Sequence, residues 1–586
     1  MFGYDRFDVY PVDKNGPEIN INGFGFFGRQ IFLPGINIER HYQALTNITR
    51  TSGRHTLKFG YDFNPIRNNA INETFLGGRF TFGSRIPLAS VLIAATGNPN
   101  LPTQLGQILT GAGQSRLLAN LGTPVTALQS AALGIPELYQ QGFGNPAFTN
   151  TSWNQNLYIQ DAFKLTPALT LTAGLRYEVQ RQSEQALPRD YNNFGPRFGF
   201  AWSPGKTQSL VVRGGYGIYF STINSNIVGT AVPLSGKFIN QILLTPSSTL
   251  FRDPRNGQFV TSTSIFQSML GQGILGRRTI SQEDLRPFGI TVGPNLPGSV
   301  IFGIDKDFVN PYAQQASLEI EKQIAGFAVS LGYNFNRGTH IGRIIGRNVR
   351  YSGSRLPDGR PLFERINPLI LQDNVFESSA NSFYHAGIIQ ASRRFAKGLT
   401  FNFNYTLSKA IDESTDFNSD YSPQDQLNAR AERSLSSFHQ KHRVVFNAVI
   451  ERWGWNFAPI VQYNSWRPFN VLTGFDAQGD TYVSNKRPAG LGRNMGQGPN
   501  FFTTDLRISR RFKFSSSERR FVEFTAEGFN LLNRTNFRTI NNIVGDVPFA
   551  TLGSPIMGNR NAASTPLAFT STQNQRQFQF GIKLYF

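Results

Sequence analysis

The 586-residue chain contains no cysteine. That absence removes disulfide scaffolds, Cys-ligated zinc, iron–sulfur clusters and thiol nucleophiles together, and leaves the compartment open. Charge is also scarce, at 16% of residues, against about 25% in an average soluble domain. No apolar run approaches the ~20 residues that a spanning helix needs. The longest, Ile86 to Thr96, stops well short, which excludes a helical membrane protein. The opening residues, MFGYDRFDVY, lack the basic-then-apolar pattern of a signal peptide, so either the product is not exported or its beginning is missing.

Aromatics, in contrast, reach 13%, with 52 Phe and 19 Tyr, and the net charge is +20. The arginines are scattered singly among aromatic and Gly-rich segments and form no basic stripe, so a nucleic-acid partner is not expected.

The dominant pattern is a period of two. Leu57, Phe59, Tyr61 and Phe63 alternate with Thr56, Lys58, Gly60 and Asp62, and Leu399, Phe401, Phe403, Tyr405 and Leu407 alternate with Thr400, Asn402, Asn404 and Thr406. Leu169 to Glu178, Phe327 to Phe335 and Phe578 to Phe586 repeat it, with weaker copies at Leu210 to Phe220, Val444 to Ile450, Leu506 to Phe514 and Val522 to Phe529. Successive strand residues point to opposite faces, so each segment predicts a two-faced strand.

Alternation alone also suits a soluble sandwich; connection length separates the two. Tight turns are expected at Ser52-Gly53, Thr166-Pro167, Pro204-Gly205-Lys206, Ala325-Gly326, Ala396-Lys397-Gly398, Arg452-Trp453-Gly454 and Ser515-Ser516-Ser517. Between these hairpins lie long connections, near Pro65 to Thr151, Arg181 to Asn192, Ser221 to Pro311, Arg337 to Ser382, Ala410 to Gln440, Trp466 to Pro499 and Leu532 to Thr572. Short turns at one end and long loops at the other are the arrangement of an outer-membrane barrel. The expected fold class is therefore all-β, a large antiparallel transmembrane β-barrel of outer-membrane type, incomplete at its N-terminal side. About fifteen strands are expected from Arg40 onward, with Asn20 to Phe27 and Phe75 to Phe82 as additions.

Seven segments carry a family resemblance: RHTLKFGYDF from Arg54, LYIQDAFKLTPALTLTAGLRYE from Leu157, NFGPRFGFAWSPG from Asn193, GLTFNFNYTLSKAID from Gly398, FHQKHRVVFNAV from Phe438, RFVEFTAEGFNLLNRTNF from Arg520 and FQFGIKLYF from Phe578. Together they resemble the barrel of TonB-dependent transporters, specifically the Oar-like branch. The resemblance implies that residues 1–586 form one receptor-like barrel portion, with the plug and the carboxypeptidase-regulatory-like domain absent. It also implies that Phe578, Phe580, Ile582, Leu584 and Phe586 form a C-terminal signal for the barrel assembly machinery. A TonB-type energy-coupling protein would act through the missing N-terminal region, and the other partners would be outer-membrane lipid and an unknown solute.

Other motifs weigh little. The GxGxxG matches at Gly23, Gly25 and Gly28 and at Gly271, Gly273 and Gly276 lack a strand-turn-helix context. His439 and His442 are wrongly spaced to share a metal on a strand, and the acidic loop with Asp412, Glu413, Asp416, Asp420 and Asp425 lacks calcium-loop spacing. No enzyme activity, metal or cofactor is expected. Lys58, Asp62, Arg176, Glu178, Glu523 and Glu527 are expected to face the lumen, and Phe401, Phe403, Phe580 and Ile582 the lipid. The functional expectation is energy-coupled uptake of a bulky solute at the outer membrane. A structural or adhesive surface barrel and a soluble secreted β-sandwich are the alternatives; recovery in the soluble fraction without detergent would exclude any barrel.

Overall fold

Two-faced strands make a two-faced wall only if register carries each face across to the next strand, because directly paired residues share a face. The computed structural model describes residues 2–586 apart from 84–85, 97, 99, 115–120, 122–124, 183–186, 206–208, 294–295, 397, 475, 515–519 and 564. Its alternating segments pair as consecutive antiparallel neighbours. The wall starts at Phe2–Val9, passes through Gly35–Tyr42 and Ala44–Ser52, two pieces of one strand split at Gln43, and reaches His55–Asn72, Ala147–Thr166, Leu169–Gln182, Phe194–Trp202 and Leu210–Phe220. It continues through Tyr312–Ile324, Phe327–Gly346, Ile370–Ala396, Leu399–Asp412, His442–Arg452, Trp455–Asn464, Phe501–Lys513, Phe521–Phe529 and Gln577–Tyr585.

The expected strands from Arg40 onward are all present. Phe2–Val9 is one more, and it escaped notice because Asp5, Arg6 and Asp8 put charge on both of its faces. Several strands outrun the expected ~9 to 11 residues: His55–Asn72 has 18, Phe327–Gly346 has 20 and Ile370–Ala396 has 27. The connections expected at Pro65 to Thr151 and Arg337 to Ser382 are correspondingly shorter, since wall strands extend into both. Lys206, Lys397 and the Ser515-Ser516-Ser517 turn lie outside the described residues.

The additions expected at Asn20 to Phe27 and Phe75 to Phe82 are not wall strands. Glu18–Ile21, Gly25–Phe27 and Arg79–Phe82 pair with one another and then, through Leu138–Gly144, Ile239–Leu244 and Ser299–Ile304, with the first residues of Ile370–Ala396. These short strands belong to a loop layer at the long-loop end of the wall. It has a dry core in which Phe80 and Phe82 meet Tyr139, Ile242, Leu244 and Phe266. The helix Ser262–Gly271 is started by a reciprocal cap between Thr261 and Ser264, and its spacing turns Ile265, Phe266 and Met269 into that core.

Burial is therefore inverted relative to a soluble protein. Phe80 and Tyr139 in the loop layer are fully covered, whereas Phe198 on the wall is 60% exposed and Phe580 is 79% exposed. Register explains the pattern. Phe580 sits opposite Ala526, Ala526 opposite Ile508, Ile508 opposite Phe457, Phe457 opposite Ile450 and Ile450 opposite Leu399, which shares a face with Phe401 and Phe403. On the other face Asp62 sits opposite Asn156 and Asn156 opposite Glu178, while Lys58 sits opposite Gln160. Glu523 and Glu527 take the corresponding positions near the C-terminus, opposite Arg511 and Arg507.

If the apolar face meets lipid, Phe403→Arg and Ile582→Arg are each expected to cost about 2–4 kcal/mol in refolding equilibria measured in bilayers. Asn402→Arg and Gln579→Arg, on the other face of the same two strands, are expected to cost under about 1 kcal/mol.

Candidate functional site

The polar face of the wall carries ion pairs between neighbouring strands. Arg507 reaches Glu523 at 3.3 Å and Glu527 at 3.6 Å, and Arg511 reaches Glu523 at 3.1 Å. Glu178 lies 3.6 Å from Arg176 and 3.8 Å from Arg197, and Asp62 accepts hydrogen bonds from Gln43 at 3.0 Å and Asn156 at 3.3 Å. Lys58, Asp62, Arg176 and Glu178 thus occupy one patch, and Glu523 and Glu527 a second, separated along the strand order. Phe578, Phe580, Ile582 and Leu584 line one face of the last strand, opposite Gly528, Ala526, Phe524 and Val522, with Phe586 exposed beyond them.

His439 and His442 have separate local roles: the ring of His439 accepts the Ala410 N–H at 3.2 Å, and that of His442 meets the Tyr405 hydroxyl at 2.9 Å. The acidic residues from Asp412 to Asp425 are likewise dispersed. Asp412 pairs with Arg493, Glu413 accepts the Asn381 N–H at 3.0 Å and Asp425 accepts the Tyr351 hydroxyl at 2.8 Å.

Following the polar face outward along His55–Asn72 leads from Lys58 and Asp62 to Asn68 and Ala70, and there the wall opens into a cavity of about 1700 Å³. Asn37, Asn68 and Asn150 supply its wall side, and Phe75, Arg79 and Gln140 belong to the first loop insertion. The second insertion contributes Ser247, Thr249 and Gln258, and the later loops add Asp416, Asp420, Asp476 and Tyr482. Side chains from both insertions, the wall and two later loops thus converge on one space, far larger than the ~300–1,000 Å³ of an ordinary small-molecule pocket.

A buried charge network holds the two later loops together. Arg487 donates to both oxygens of Glu432, at 2.6 and 2.9 Å, while Arg493 donates to the Glu432 carbonyl at 2.9 Å and pairs with Asp412. Burial would raise the Glu432 carboxyl, but Arg487 and Arg493 hold it below its usual range. Beside them the Lys486 ammonium donates to Asp480 at 2.6 Å and to the Gln424 carbonyl at 2.7 Å. Burial nevertheless prevails over that cation and pushes the Asp480 carboxyl up to about 7. Tyr482 lies against Gly346, where a Cβ would come within 2.6 Å of its ring. Its hydroxyl is pushed well up by burial and by the nearby Asp480 and Asp373.

Neither this cavity nor its clamp is foreshadowed by a sequence motif. The one available signal was a pair of adjacent cations, Lys486-Arg487, within a Gly- and Asn-rich loop.

The alternating wall with folded loops at one end is the architecture of a known family: the description "Outer membrane beta barrel domain" matches residues 3–186 and 181–491. The chain belongs to that family. It is a protein of the bacterial outer membrane. Its fold is similar to that of the outer-membrane transporter YddB from Escherichia coli, with a TM-score of 0.53 and 10% identity, over 100% of this chain and 60% of that one. It is also similar to the ferric enterobactin receptor of Pseudomonas aeruginosa, with a TM-score of 0.50 and 11% identity, over 100% of this chain and 58% of that one. This barrel chain therefore spans about three-fifths of the length of either structure. None of the curated proteins matches it in sequence.

Two outcomes test the clamp. Arg487→Ala leaves the Glu432 carboxylate buried without its bidentate partner, and is expected to lower the opening free energy of residues 466–500 by about 3–5 kcal/mol, read by native-state hydrogen exchange. Asp480 binds its proton more tightly when folded than at its ordinary value of 3.8. The stability this contributes is complete below about pH 4 and is lost as pH rises through about 7. Protection of the same segment should fall over that interval in the native chain and lose this dependence in Asp480→Asn.

Proposed function

We propose that this chain is the barrel portion of a TonB-dependent, Oar-like outer-membrane receptor that takes up a bulky solute under energy coupling from the inner membrane. The observation that carries the reading is the cavity of about 1700 Å³ on the polar side of the wall, enclosed by long loops. A solute captured there lies at the outer end of the same polar face that carries Lys58, Asp62, Arg176, Glu178, Glu523 and Glu527, which we assign to the lumen. Phe401, Phe403, Phe580 and Ile582 are assigned to the lipid side, where a closed hydrogen-bonded wall can present apolar side chains without exposing backbone. Phe578 to Phe586 would be the segment read by the assembly machinery. A plug supplied from outside this chain would gate the lumen and receive the energy-coupling protein. The site is read as one of capture and passage, without catalysis.

Depletion of solutes from the medium tests the proposal, using cells that carry or lack the full-length gene product, with and without a protonophore. Removal of at least one solute that requires both the gene and the proton gradient is the expected result. Gene-dependent attachment to surfaces with no gene-dependent depletion would replace uptake with adhesion.

A further inference from the structure

The uptake reading leaves the chemistry of the solute open, and this inference rests on that reading. Charge is the first discriminator. In a chain of net charge +20, the cavity's lining among the described residues includes the carboxylates Glu137, Asp416, Asp420 and Asp476 but only the guanidiniums Arg79 and Arg252. Arg252 is occupied, lying 3.9 Å from the centre of the Phe259 ring and donating to the Gly257 carbonyl at 2.9 Å. Arg79 donates to Gln140 at 2.9 Å and lies 4.0 Å from Glu18. Both guanidiniums thus already have partners at their other nitrogens, and the four carboxylates repel an anion.

The second discriminator is the set of buried polar atoms that lack partners within the protein. Asn37 Oδ1 and Asn68 Oδ1 are unmet acceptors, and Arg79 Nε is an unmet donor. Thr263 Oγ1 and Tyr482 Oη, which can act either way, are also unmet, and Tyr482 is only 5% exposed. All five residues line the cavity. Each unmet buried polar group carries a desolvation cost, which a ligand with matching groups would remove once the side chain turns toward the cavity. Donors and acceptors are mixed here, so they call for a partner whose groups serve as both. A hydroxyl does this with one atom.

The third is an apolar platform. Phe32 lines the cavity and remains 48% exposed, held edge-on by Phe75 at a centroid distance of 5.8 Å. Such a ring offers a flat face to aliphatic C–H groups without requiring charge. We propose that the cavity takes a neutral, hydroxyl-rich oligomer, an uncharged oligosaccharide several units long. Its hydroxyls would meet Asn37, Asn68, Thr263 and Tyr482, and one sugar ring would pack on Phe32. The space suits several linked units better than one monosaccharide.

The test is direct binding to the purified chain held in an amine-oxide detergent, because sugar-headed detergents would compete. The probes are neutral hexasaccharides derived from dextran, cellulose, xylan and mannan, a uronate hexasaccharide, ferric enterobactin and unmodified hexapeptides. Binding of at least one neutral hexasaccharide above every other probe is expected, weakened about tenfold or more in Asn68→Leu and in Phe32→Ala. Phe32 is half exposed, so its replacement should leave the barrel folded, as checked by heat-dependent gel mobility. Preference for the uronate, the ferric chelate or a peptide overturns the proposal, as does failure to bind any neutral hexasaccharide. Unchanged affinity in both variants overturns it as well. A neutral hexasaccharide bound by the purified chain but not taken up by cells would support this inference and contradict the uptake reading. Gene-dependent uptake of a charged solute alone would do the reverse.

Discussion

A backbone amide inside hydrocarbon has no water to bond with, so every strand crossing a bilayer must satisfy its polar groups on its neighbours. In this protein an antiparallel ladder running from Phe2–Val9 to Gln577–Tyr585 meets that requirement between consecutive strands, and the other features follow from its register. Because paired residues share a face, Phe580 and Phe403 end up on one surface although 177 positions of chain separate them, and Asp62 and Glu178 on the other. Arginine–carboxylate pairs then bridge adjacent strands on the polar surface, as at Arg507 and Glu523, while the opposite surface needs only bulk and low polarity.

The loop layer obeys a different rule. Its short strands and helices bury Phe80, Tyr139, Phe266 and Met269 in a dry core of the kind found in soluble domains, and its two later loops are tied by Arg487, Arg493 and Glu432. A buried ion cluster stabilises little compared with an apolar packing of the same volume, but it fixes geometry, since each member is costly to leave unpaired. Here it sets the loops that carry Asp416, Asp420 and Tyr482 at the cavity. A rigid rim on a polar wall lets a large space persist without collapsing.

The wall was legible in the sequence because a period of two is a local signal: Leu399 to Leu407 announces itself within nine residues, and tight turns such as Ala325-Gly326 mark the hairpin ends. Phe2–Val9 is hidden because charge on both faces erases alternation, and Arg79–Phe82, within the addition expected at Phe75 to Phe82, reads as a wall strand because RFTF alternates as well as any of them. What distinguishes it is its partners, Glu18–Ile21 and Leu138–Gly144, and these pairings are long-range. The cavity was illegible for the same reason. Asn37, Asn68, Thr263 and Tyr482 are unremarkable polar residues in sequence, and they acquire meaning only where five distant segments meet. Lys58, Asp62, Arg176 and Glu178 could be assigned to one face by parity, but their nearness to one another depends on the order of the strands.

The claim on which the account turns is that one face of the wall touches lipid and the other encloses water. Because the chain has no cysteine, nitroxide labels can be placed singly from Thr400 to Thr406 in otherwise native protein reconstituted in bilayers. Their collision rates with oxygen and with a water-soluble nickel chelate report which phase each position faces. The account predicts oscillation with a period of two, with oxygen favoured at Phe401, Phe403 and Tyr405 and the nickel chelate at Thr400, Asn402, Asn404 and Thr406. Equal exclusion of both reagents from the Phe positions, or no alternation along the segment, would contradict it.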